Sequence, residues 1–162
     1  MPSLYAVFGG REALLQAVCD RYIPVLNIEG VVGDSSATDL TQTVRGIYRA
    51  LADLLLKEPR VLSAVLAETL ARPAGSGASV LIEHGALRLI AVLGRWLDAE
   101  VAAGRIRDLP RPVPIQQLIS PISVHAIMRP GLTNFPQVDL LDLQGSCDAF
   151  ADIFVRGVAT PS

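Results

Sequence analysis

Residues 39–59, DLTQTVRGIYRALADLLLKEP, decide the fold class. Leu40, Val44, Ile47, Leu51 and Leu54 recur at three- and four-residue spacing, which puts them on one face of a helix, and Pro59 ends the run. Ser36 or Thr38 stands where a side-chain cap belongs. The same period continues in both directions, and strand-like alternation is almost absent. Upstream, Leu14, Leu15, Val18, Tyr22 and Val25 stripe a helix over 11–26, and a Gly/Ser/Asp loop follows over 30–37. Downstream, Pro59 starts a short helix striped by Val61, Leu62, Val65, Leu66 and Leu70, closed by a loop over 71–77. The longest segment, 79–103, carries Val80, His84, Leu87, Ala91, Gly94 and Leu97 or Val101 on one side. Leu81, Leu89 and Leu93 widen that stripe, and Gly104 is its C-cap.

Residues 105–114 are Pro-rich and irregular. Ile115, Leu118, Ile119, Ile122 and Ala126 form the next stripe, with Pro121 inside it. That proline either kinks one helix or leaves Ser120 to cap a second piece. After a turn around Pro130-Gly131 and Pro136, Asp139 is placed to cap the last helix. Leu143, Cys147, Phe150 and Phe154 share one of its faces, and Asp152 and Arg156 form an i,i+4 pair on the other. The expected fold is all-α, a bundle of about six helices behind a helical stub.

Composition bounds the function. The 162 residues are 51% apolar and only 19% charged, which excludes a disordered chain and suggests that part of the apolar excess lies at a subunit interface. A net charge of −2 argues against binding nucleic acid along a whole face, because phosphate neutralisation needs clustered Lys and Arg. Cys19 and Cys147 lie far apart with no metal-ligand spacing, which fits a reducing cytosol and predicts no metal and no cofactor. The N-terminus reads as no secretory signal. The longest uncharged stretch, between Arg111 and Arg129, is broken by Pro112, Pro114 and Pro121, a poor membrane span. A soluble cytoplasmic protein is expected. No nucleophile elbow, zinc-protease motif, phosphate loop or dinucleotide fingerprint is present, and the two histidines have no carboxylate at ligand spacing on their own helices; an enzyme is not expected.

The opening residues carry more. Leu4-Tyr5 and Phe8, the small turn Gly9-Gly10, then Arg11-Glu12 and Leu14 resemble the end of the helix-turn-helix in the TetR (tetracycline-repressor-type) family of bacterial transcription regulators. Two later stretches are similar to that family's regulatory domain: 103–107 ahead of the Pro-rich loop, and 119–128 with the closing 148–158. The resemblance implies a remnant of the DNA-binding domain and connecting helix over 1–27 and a ligand-binding and dimerisation domain over 38–160. Ser3, Tyr5 and Arg11 would then be DNA-backbone contacts. The family's first two helices and most of its recognition helix have no counterpart ahead of Met1. The resemblance therefore implies a reader cut short, with no sequence-specific operator binding by this chain, since the base-reading end of such a helix is its N-terminus.

The implied partners are a second copy, through the last two helices, and a small, mostly apolar effector; DNA belongs to the full-length form. Tyr48, Glu68, His84 and Trp96 are the candidates for the effector pocket, and Ile119, Ile122, Phe150 and Phe154 for the dimer interface. Each has a plainer reading. Tyr5 and Phe8 serve equally as packing residues, Arg11 and Glu68 as solvated surface, and Tyr48, His84 and Trp96 as core or boundary side chains. The two interface helices pack equally well inside one chain. A stand-alone helical small-molecule or interaction module, with no link to DNA, is the alternative.

Overall fold

The computed structural model describes residues 25–33, 39–57 and 86–161, with positions 13, 17, 67, 70 and 71 besides. The described residues are helical throughout: α1 (Val25–Gly33), α2 (Leu40–Lys57), α3 (Leu87–Ala102), α4 (Pro112–Leu132) and α5 (Leu143–Val158). Among them the extended backbone makes one isolated bridge, between Ile106 and Ala159. The fold is all-α. The helices expected over 11–24 and 61–70 and the loop expected over 71–77 fall on residues largely outside the described ones.

The centre of the bundle is α2. Its stripe of Val44, Ile47, Tyr48 and Leu51 is at most 1% exposed, and it packs on α5 most extensively, then on α4 and α1. Gly46 is what lets α1 approach, since a Cβ there would stand 2.8 Å from Cγ1 of Val31. The loop expected from Gly30 is therefore displaced: α1 runs through Gly30 to Gly33. Ile28 is buried, and Val31 and Val32 pack on the core. That burial outweighs the roughly 1 kcal/mol that a helical glycine costs.

The end of α3 is as expected at Gly104, where φ is +72°. The Gly104 amide donates to Val101 and that of Arg105 to Glu100, the paired bonds of a Schellman cap. Its buried face differs from the expected one. Leu89, Val92, Leu93, Gly94, Trp96, Leu97 and Glu100 turn inward, whereas Leu87 and Ala91 are exposed. Apolar residues occupy both sides of this segment, so the 3.6-residue period was satisfied by two stripes, and packing against α1 and α4 selected one. Glu100 is 2% exposed, and Arg105 donates to both of its carboxylate oxygens, at 2.6 and 3.0 Å, so the buried group is paired.

Pro121 neither breaks nor restarts α4, which continues from Pro112 through Pro121 and Pro130 to Leu132. A proline has no N–H to give to the carbonyl four residues back, which here is Gln117. The Tyr48 hydroxyl, reaching from α2, donates to that Gln117 carbonyl at 2.8 Å and makes the loss good. The turn expected around Pro130-Gly131 and Pro136 lies at 133–142, so it includes Pro136 while Pro130 and Gly131 stay in α4, and the cap of α5 is Asp142 rather than Asp139: its side chain accepts from the Gly145 amide at 2.7 Å. Asp152 does not pair with Arg156. It accepts from Arg45 of α2 at 3.0 Å, while Arg49 donates to Asp148 at 2.8 Å.

Candidate functional site

The sequence-predicted residues separate into three groups. Ser3, Tyr5, Arg11, Glu68 and His84 lie outside the described residues, and nothing in the structure bears on them. Tyr48 is a core residue, 1% exposed, with its hydroxyl committed to Gln117 and its ring 5.9 Å from that of Phe150. Burial, and secondarily Cys147, raises its phenol well above the usual range, so it stays a neutral donor. Trp96 is 4% exposed on α3, and its Nε1 has no hydrogen-bond partner among the described residues; Thr43 Oγ1 on α2 is in the same condition. A buried indole N–H without an acceptor is uncommon and costly.

A groove of about 640 Å³ opens where the end of α3 meets residues 106–114, on a floor of Leu97, Val101, Ile106 and Leu109. Asp98 and Arg111, paired with each other, stand at its rim. Of the residues predicted for an effector pocket, the two described ones, Tyr48 and Trp96, do not line it. No group of three or more His, Cys, Asp or Glu side chains able to hold a metal occurs among the described residues.

The interface residues are redistributed. Ile122 and Phe154 are 0% and 4% exposed in the core of this one chain, so neither is available to a partner while the subunit is folded. They are corrected to core residues. Ile119 and Phe150 are half-buried. The apolar side chains that do face outward are Val113, Val124, Ile127 and Met128 on α4 and Ile153 on α5, between 43% and 68% exposed. At 100° per residue the four α4 positions fall within an arc of about 100°. The other side chains on that side, Gln116, Gln117 and Ser120, are uncharged, and the whole helix carries one formal charge, Arg129.

That absence of charge was the legible signal. Apolar residues alone do not separate an inner from an outer face, but a long helix with no charge on any outward position does not read as a solvated surface.

Together these features define, among the described residues, an all-helical bundle with an ion-paired seam between α2 and α5 and an uncharged outer face on α4. No protein-family model matches the chain, and no curated protein matches it. No helix among the described residues is long and apolar enough to cross a membrane.

Proposed function

We propose that the chain is the effector-binding and dimerisation region of a TetR-like transcription regulator. The observation that carries this reading is the uncharged outer arc of α4, Val113, Val124, Ile127 and Met128, with Ile153 exposed on α5. A helix whose outward arc is uncharged and largely apolar suits an interior better than a solvated surface, and a second copy related by a two-fold axis would supply one with the same residues on both sides. The final two helices are those that the resemblance assigns to an intermolecular four-helix bundle. Support for sensing comes from Trp96, whose buried, unpartnered N–H would meet an acceptor on a mostly apolar molecule. Differential affinity of that molecule for one arrangement of the helices would shift the segment that begins at Arg11, a coupling typically worth about 1–3 kcal/mol. Ser3, Tyr5 and Arg11 would touch phosphates, contacts that position a protein on DNA without specifying sequence.

Sedimentation of the 162-residue chain at micromolar concentration tests the reading. A dimer is expected, converted to monomer by Ile127→Glu with helicity retained. A monomeric parent protein refutes it. Trp96 is the only tryptophan, so its emission reports the sensing half directly: a saturable change with a small apolar carbonyl compound, lost in Trp96→Phe by a second readout such as calorimetry, is the expected result.

A further inference from the structure

The connection between α4 and α5 is held at its far end by one side chain. Arg129 Nη1 donates to the carbonyl of Leu141 at 2.7 Å. The same nitrogen stands 3.1 Å from Nε2 of His125, one turn back on α4. A guanidinium has N–H donors and no acceptor, so this second contact is a hydrogen bond only if Nε2 offers a lone pair. His125 is then neutral, with its proton on Nδ1. Its ring lies edge-on to Phe150 of α5, at 5.9 Å and 79°. Leu141 immediately precedes Asp142, which accepts from the amides of Gly145 and Ser146 and so starts α5. One lone pair on an imidazole thus steadies the cation that fixes the entry to the last helix.

We propose that His125 and Arg129 form a proton-sensitive latch on the α4–α5 connection, closed when the imidazole is neutral and opened when it takes a proton. This inference does not rest on the function proposed above. Protonation converts the acceptor at Nε2 into a donor and sets two cations about 3 Å apart, a distance at which like charges repel strongly in a partly buried site. Arg129 then leaves, and the Leu141 carbonyl loses its donor.

Of the helices packed against α4, α2 brings Arg45, Tyr48, Arg49 and the exposed Asp53, and α5 brings Cys147, Asp148, Asp152 and the exposed Arg156. Arg45 and Arg49 are paired with Asp148 and Asp152, and burial keeps Tyr48 and Cys147 protonated. On α3, Glu100 is paired with Arg105 and Asp98 with Arg111, while Arg88 and Arg95 are exposed. On the connection, Asp142 is engaged as the cap and Asp139 is exposed. Burial first, then Arg129, holds His125 below its ordinary value of 6.5. A pKa depressed on folding means that the contribution is complete above the ordinary value and is lost as pH falls through the lowered one. Phe135, Val138 and Leu141, all exposed on this connection, are the side chains whose presentation the latch governs.

Nuclear magnetic resonance on the full chain decides it. The His125 ring is expected to titrate with a midpoint below 6.5. Protection of the Gly145 and Ser146 amides, corrected for intrinsic exchange, is expected to fall about tenfold across that same midpoint, the scale of one lost hydrogen bond to a charged group. Arg129→Met is expected to raise the midpoint and to lower that protection at neutral pH. A midpoint at or above the ordinary value, protection that stays constant through it, or protection unaltered in Arg129→Met would each overturn the latch.

Discussion

The seam between α2 and α5 and the outer arc of α4 belong to the same bundle and are built on opposite rules. Along the seam, Arg45 and Arg49 meet Asp148 and Asp152 at 2.8 to 3.8 Å, over a floor that includes Tyr48, Cys147 and Ala151. Along the arc, no charged side chain appears. Paired charges at the edge of a buried contact set the register of two helices and discriminate against misaligned pairings, which is useful where an interface is permanent and internal. An uncharged surface carries no ionic desolvation cost when it is covered, which would suit the dimer face proposed above. The difference separates the inside of the bundle from its uncharged outer arc more sharply than total hydrophobicity does.

The comparison breaks most completely if the interior is charged. Phe154→Arg puts a cation where the parent side chain is 4% exposed, and it is expected to cost about 3–5 kcal/mol and to abolish the cooperative melt. Retention of a sharp transition near the parent temperature would return Phe154 to the surface. Tyr48→Phe is next. It keeps the ring and removes the hydroxyl that donates to the Gln117 carbonyl, so urea unfolding should lose about 1–3 kcal/mol with an unchanged slope. Arg49→Gln removes one half-exposed ion pair of the seam. Its effect should stay below about 1 kcal/mol and shrink further in high salt, measured by the same urea titration at two ionic strengths.

The smallest effect on the subunit itself belongs to the arc. Ile127→Glu should alter unfolding at high dilution by no more than about 0.5 kcal/mol. It should also abolish any rise of the melting temperature with protein concentration, because that rise comes from mass action between copies. A parent melting temperature independent of concentration would remove the distinction between the two regions.

Some of this contrast was legible in the amino acids. Leu40, Val44, Ile47 and Leu51 read as the inner stripe of α2 and are its core, because a single polar-backed helix has one possible buried face. Gly104 read as a C-cap because a positive φ admits few other residues. The inner face of α3 read correctly at Leu89, Leu93, Gly94 and Leu97 and wrongly at Leu87 and Ala91, which compete with Val92 and Trp96 on equal terms in local sequence. Nor did the cap of α5, where Asp139 and Asp142 are chemically equal candidates. Of the candidate site, Tyr48 and Trp96 are indeed buried aromatics, but only the fold reveals that the first has its hydroxyl engaged and the second has not.

Sequence alone therefore determined the helical class, the inner stripes of α2 and α4 and the stop at Gly104, all of which depend on neighbours within a few residues. Tertiary structure decided that α2 lies at the centre, that Leu87 and Ala91 of α3 stay outside, that Asp152 chooses Arg45 over Arg156, and that Tyr48 repairs the backbone opened by Pro121. Those choices join residues up to 107 positions apart, and their energies exist only after the helices have met.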